Sequence, residues 1–239
     1  MLSEYAAYFR KVSDLTENDR REIVRIYLTY YDGSNETQIL SDLRNKSEVL
    51  MVFCNDVLVG FTTLQVYEYQ WNDEEIRIIY SGDTIVERAH WGQQALAFAW
   101  IARMGELKRE KPNLLMYWFV IIKGHRTYKY LPTFGKSFYP HWSIDRSDLK
   151  PLADALASQK FGNDYNPATG IVEFPESKGH VKDDIALPSP EELTKDSVKY
   201  FLERNPNYRR GHELVCLCEI FEENMKPLTK RIFSKISPL

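Results

Sequence analysis

Gly92, Gln93, Gln94 and Ala95 lie where a strand-like stretch ending in Ile85 and Val86 gives way to a run of helical periodicity. A helix that opens there presents unpaired backbone N–H groups and the positive end of its dipole, and a glycine lets an anion come close to them. Gln94 takes helical angles without strain, so the donors survive at that position. Proton-moving groups stand on either side of this turn. Asp83 lies in the strand leading to it, and Glu68, Glu74 and Glu75 lie near the preceding turn. Each carboxylate can take a proton, directly or through a water. Tyr128 and Tyr130 follow the next apolar run, and a phenol with a pKa of about 10 is a sound proton donor to a departing anion. His90 and His125 read as surface or capping groups. No Cys/His cluster has zinc spacing, so no metal is expected. A Gly-x-Ser-x-Gly elbow, a Walker loop and a dinucleotide fingerprint are all missing.

The elements that position these residues follow from periodicity. Residues 6–13 read as a first strand. Thr16, with Asp19 three residues on, opens a helix carrying Ile23, Tyr27 and Tyr30 at helical spacing. A turn at 32–35 ends it, and a short helix covers 36–44. Strands over 47–54 and 57–66 flank Asn55-Asp56, a pair suited to a two-residue hairpin. A strand over 76–86 follows, and Gly82 within it points to a bulge that would splay it from its neighbour. A helix over 92–107 ends in Lys108, Arg109 and Lys111, which complement its dipole. Residues 114–122 are apolar on both faces, as in a central covered strand. A tyrosine-rich helix over 125–138 is expected, with Pro132 as a kink or end. Later come a helix over 147–158, a strand over 170–174, a capped helix start at Ser189-Pro190-Glu191-Glu192 and a strand over 214–221. Residues 175–190 read as a loop or insertion.

Composition bounds what such a fold can do. A chain of 239 residues buries a core without staples, and 15 Tyr with 12 Phe argue against disorder. The net charge of -3 implies neither a nucleic-acid partner nor an anionic membrane surface. Cys54, Cys216 and Cys218 read as reduced core thiols, the last two on one strand face and unsuited to bridge each other. Residues 1–11 lack the pattern of a signal peptide, and no apolar run has the length of a membrane span. The expected compartment is the cytoplasm, and the expected assembly a monomer or a homodimer, with an exposed edge or the strand over 214–221 as the dimer contact.

An antiparallel meander followed by one strand–helix–strand crossover resembles the GNAT (general N-acetyltransferase) superfamily. Three stretches carry the resemblance: the hairpin ending in Val59-Gly60-Phe61; the segment from Ile85 to Leu96, where Val86 stands six residues before Gly92; and the buried strand to Ile122 followed by Tyr128 and Tyr130. It covers about residues 6–140, one ordinary domain length. It implies an α/β fold of α+β type, with a mixed, mainly antiparallel central sheet flanked by helices. Residues 1–140 form the acyl-CoA-binding core, and residues 141–239 complete the same domain with an insertion around 175–210. The motif is degenerate, because Gln94 stands where a second glycine would be.

The activity implied is acyl-CoA-dependent N-acyl transfer, with acetyl-CoA or another acyl-CoA as co-substrate and an amine of a small molecule or peptide as acceptor. On that resemblance Gly92, Gln93, Gln94 and Ala95 cradle the pyrophosphate, and backbone groups of Ile85 and Val86 pair with the pantetheine arm. Asp83 is the candidate base, and Tyr130, with Tyr128, the candidate acid. Residues 140–212, rich in aromatic side chains, are expected to cover the acceptor side. The alternative is a catalytically inactive ligand-binding or regulatory module on the same scaffold.

Overall fold

The computed structural model describes residues 4–235. Strand β1 (Tyr5–Lys11) leads into helix α1 (Glu17–Tyr30). The Thr16 hydroxyl accepts from the Asp19 N–H at 3.1 Å and the Asp19 carboxylate accepts from the Thr16 N–H at 2.8 Å, a complete capping box. β2 (Tyr31–Asp32) and α2 (Glu36–Arg44) follow. β3 (Glu48–Cys54), β4 (Val57–Trp71) and β5 (Glu74–Val86) then form a meander. Both of its hairpins turn on an Asn-Asp pair: φ is 47° and 65° at Asn55 and Asp56, and 50° and 65° at Asn72 and Asp73. Positive φ at both central residues matches the twist of the flanking strands. The second hairpin makes β4 five residues longer than the strand expected to end at Val66 (71 − 66).

Helix α3 (Ala95–Glu110) crosses to β6 (Leu115–Ile122). The single helix expected over 125–138 is two short ones, α4 (His125–Tyr128) and α5 (Tyr130–Phe134). Pro132 sits in the first turn of α5, where its missing N–H would have had no intrahelical partner. α6 (Lys150–Phe161), β7 (Tyr165–Asn166), β8 (Ile171–Val172), β9 (His180–Val181), α7 (Asp183–Ala186), α8 (Asp196–Arg204), β10 (Glu213–Glu219) and α9 (Pro227–Phe233) complete the described chain. Among the described residues no helix is long and apolar enough to cross a membrane.

The fold is α/β, with a mixed, mainly antiparallel eight-stranded sheet in the order β1-β3-β4-β5-β6-β10-β8-β7. Only β5 and β6 run parallel, joined by α3. β10 lies between β6 and β8, and its Leu217 also bridges Tyr139, so the strand expected over 214–221 is not an edge strand of the sheet. β2 and β9 form a separate two-stranded sheet. Leu50, Val52, Trp118 and Val120 bury one sheet face against α3, through Trp100, Ile101 and Met104. The opposite face packs on α1 and α2 through Val49, Met51 and Phe61, and on α6 through Ile78, Tyr117 and Phe119. β6 is therefore covered on both faces, as its unbroken apolar run requires.

The β5–β6 ladder runs from Ile76↔Leu115 to Ser81↔Val120 and stops. Just beyond, the β4–β5 register shifts between Phe61 and Thr63, so β5 carries one extra residue and Asp83 takes φ 44°. This is the β-bulge expected at Gly82. Thr62 and Thr63 both donate to the Gly82 carbonyl, at 3.2 and 3.1 Å, and hold the bulge in place. From there to Val86, β5 pairs with β4 alone, which leaves a gap on its β6 side.

Candidate active site

Two cavities meet at that gap. The first, of about 340 Å³, lies against Ile85, Val86, Trp91, Gly92, His125 and Tyr130. The second, of about 880 Å³, lies against Lys46, Tyr80, Asp83, Lys160, Phe174 and Glu213. Tyr31, Thr84, Lys123 and Thr127 line both. The end of β6 and the bulge of β5 thus form a shared wall with a ligand-sized hollow on each side.

At the first cavity, Gly92 takes φ 90° and has open space where a side chain would be. Gln94 has φ -107° and ψ -2°, a helical conformation, and precedes the 16-residue α3. The Leu96 N–H donates to Gln93 Oε1 at 3.3 Å and the Phe98 N–H to the Gln94 carbonyl at 2.9 Å. The N–H groups of Gln94, Ala95 and Ala97 have no protein acceptor among the described residues. These free donors suit an anion. Trp91 lines this cavity: its Nε1–H donates to the Val86 carbonyl at 2.8 Å, and Arg88 and Arg126 lie 5.8 and 5.1 Å from its ring centre.

His125, expected to be a surface or capping group, is 1% exposed, and neither ring nitrogen has a hydrogen-bond partner. Its Nε2 lies 3.4 Å from Glu192 Oε2, too poorly aligned for a hydrogen bond. Burial, aided by the Arg126 charge, pushes its pKa down to about 4, so the ring is neutral at pH 7. Glu192 also accepts from Lys129 at 2.6 Å, Arg126 at 3.1 Å and the Ser189 N–H at 2.9 Å. Burial opposes its ionisation, but these donors win and bring its pKa from 4.5 to about 2. A carboxylate depressed in the fold stabilises above its unfolded pKa and loses that contribution as pH falls through the folded one. Native stability should therefore fall between pH 4.5 and pH 2 more steeply than that of Glu192→Gln. Parallel urea-unfolding slopes over that range would show that the cluster contributes nothing.

The second cavity is lined by charge. Lys46, 2% exposed at its side chain, is held by Asp42 and lies 3.7 Å from Asp83. Lys123 pairs with the buried Glu213 at 3.3 Å and lies 5.7 Å from the Tyr31 ring centre. Burial raises the pKa of Asp83; Lys46 opposes this and Asp42 adds to it. Burial raises Glu213 as well, against the pull of Lys123. For Lys123, burial works against the charge, yet Glu213 keeps its pKa above the ordinary lysine value.

Of the residues singled out in the sequence, Ile85, Val86, Gly92, Gln93 and Tyr130 line the first cavity and Asp83 the second. Tyr130 is half-buried, and burial raises its pKa. Tyr128 is elsewhere: it is fully buried, and its hydroxyl donates to the Pro140 carbonyl at 2.8 Å. Phe138, Trp142, Tyr200 and Phe201 surround its ring. Glu68 is tied to Arg77 and Lys111, and Glu74 lies at the far end of β5, roughly nine residues or about 30 Å from Asp83. The segment around 175–190 is not confined to the second cavity. Lys178 lines that one, whereas Val181, Ile185 and Ala186 line the first. Lys46, Lys123, Lys160, Glu192 and Glu213 escaped sequence reasoning. The one local signal was Lys123, a charge directly after the most apolar run of the chain.

No protein-family model matches the chain, and no curated protein matches it. Among solved structures it is similar to a protein of unknown function from Enterococcus faecalis V583 described as a probable N-acyltransferase, with 7% identity and a TM-score of 0.41 over 56% of this chain and 33% of that one. It is similar to a GNAT-family N-acetyltransferase of Escherichia coli in complex with CoA, with 12% identity and a TM-score of 0.39 over 55% and 69%. An N-acyl amino acid synthase from uncultured soil microbes gives 14% identity and a TM-score of 0.39 over 56% and 80%. The chain thus spans about a third of the first of these proteins. With no TM-score here reaching one half, what the site does rests on its own residues.

Proposed function

We propose that the chain is an acyl-CoA-dependent N-acyltransferase of the GNAT type, which transfers an acyl group, acetyl in the simplest case, to an amine by direct attack in a ternary complex. The observation that carries this reading is the meeting of two cavities where β5 and β6 part. The donor lies in the first and the acceptor in the second, so both reach Thr84, Lys123 and Thr127.

Acyl-CoA, when bound, supplies a thioester carbonyl carbon that an amine can attack. Gly92 and Gln93 line the donor cavity, and the free N–H groups of Gln94, Ala95 and Ala97, just beyond its lining at the start of α3, are the donors for the pyrophosphate; the backbone of Ile85 and Val86 takes the pantetheine arm. Asp83 takes a proton from the acceptor ammonium, for which a raised pKa suits it. The C–N bond forms as the C–S bond breaks. Tyr130, on the donor side, gives its phenolic proton to the departing thiolate and is reprotonated, directly or through a water, by the second proton leaving the acylated nitrogen. Acyl transfer of this kind belongs in the cytoplasm, where the free, buried Cys54, Cys216 and Cys218 stay reduced.

Thermal unfolding with CoA, acetyl-CoA and a longer acyl-CoA tests the donor site. At one hundred times its dissociation constant a thioester should stabilise the fold by about 2.7 kcal/mol, a shift of several degrees. A second reading, an inactive ligand-binding module, is favoured by the Trp91–Val86 hydrogen bond, which occupies a carbonyl that an extended arm would use. Absence of a shift with every thioester would favour that reading.

A further inference from the structure

The second cavity has an internal charge pattern. Asp42, Lys46 and Asp83 form one group, which carries a net negative charge when both carboxylates are ionised. Lys123 and Glu213 cancel. Lys178 is turned toward Asp164 at 3.4 Å and lies 4.0 Å from the Phe174 ring centre. Lys160 is different: it makes no ion pair among the described residues. Its ammonium lies 4.1 Å from the centre of the Tyr80 ring and donates to Gln65 Oε1 at 2.9 Å. That contact leaves the two N–H donors of the Gln65 amide free. Gln65 is the register partner of Tyr80 on β4, so strand pairing fixes the two side by side. Lys46 lies 5.4 Å from the same ring centre, so the cavity holds a cation that has no ion pair and an adjacent amide donor, next to a group with one carboxylate in excess. Three residues of β5, about 10 Å, separate Tyr80 from Asp83.

We propose that the acceptor is an amine that bears its own carboxylate, a molecule of amino-acid type. Its ammonium faces Asp83 at the gap, and its carboxylate lies on Lys160 and Gln65. This rests on the acceptor role given to the second cavity. An ammonium brought to Asp83 without a carboxylate of its own leaves Lys160 unmatched, so amines with neutral or cationic tails are disfavoured.

Calorimetric titration of the full chain with two matched pairs tests this: γ-aminobutyrate against putrescine, and L-phenylalanine against its methyl ester. At least one carboxylated amine should bind at least tenfold more tightly than its partner. Lys160→Glu should abolish or reverse that preference. Lys160 is exposed near the end of α6 and does not line the donor cavity, so the melting temperature and any shift with acetyl-CoA should persist in the variant. Equal or tighter binding of the carboxylate-free partners, an unchanged preference in Lys160→Glu, or no binding by any of the four amines overturns the proposal. A missing acetyl-CoA shift in the native chain would instead count against the donor reading.

Discussion

Asp83→Asn should lower kcat/KM for acyl transfer by about a hundredfold to ten-thousandfold, the usual contribution of a positioned general base. The fold should tolerate the change. Lys46 keeps Asp42 as its partner, and Asn is at home at the positive φ that residue 83 adopts. Asp83 carries a raised pKa, so the ionised form works against the fold: stability falls as pH rises through that value, and Asn removes this dependence. Activity has the opposite sign. The base must be ionised, so the native rate should climb with pH through a value above the ordinary 3.8, and the variant should lack that limb. A pH–rate profile of both proteins is the check. A variant within threefold of native activity would remove Asp83 from the mechanism.

Lys123→Met should destabilise the fold by about 3–5 kcal/mol, because it leaves Glu213 buried without its counter-charge. Glu213 is 5% exposed at its side chain, and burial already raises its pKa. Without Lys123 that pKa must rise further, so the loss should be largest above it and shrink as the pH falls and the carboxyl is protonated. The double variant Lys123→Met, Glu213→Leu should recover most of the stability, since an apolar pair of similar volume asks for no counter-charge. Urea unfolding of the single and double variants separates these effects. A loss under about 1 kcal/mol in the single variant would mean that water reaches Glu213 freely.

The strands were the most legible part of the sequence. The apolar run of β6 and the Asn55-Asp56 turn each have one physical interpretation, and Gly82 marks a bulge on the strand that leads to the site. The second Asn-Asp pair, at 72–73, carries the same turn chemistry. Residues 67–71, Tyr-Glu-Tyr-Gln-Trp, keep the period-two alternation of a strand with one solvent face, so the extension of β4 from Val66 to this turn is legible in the sequence as well. Asp83 and Tyr130 could be placed near the gap from their elements. The lysines could not, because Lys46 follows α2, Lys123 follows β6 and Lys160 lies in α6, and only the tertiary fold brings them to one cavity. Tyr128 was named with Tyr130, but two residues apart on broken helical turns sends one side chain into the core and the other to the cavity.

The segment that runs from Phe174 through β9 to Ala186 touches both cavities and is pinned between them by the pairing of Val181 with Tyr31. A molecule that settles against Lys178 and Phe174 acts on the same stretch of backbone that a molecule against Val181 and Ile185 must accept. Any coupling that this segment carries between the two occupancies is reciprocal: whatever factor the first ligand adds to the affinity of the second, the second returns to the first. The ratio of a ligand's affinity with the other cavity filled to its affinity with that cavity empty measures this factor.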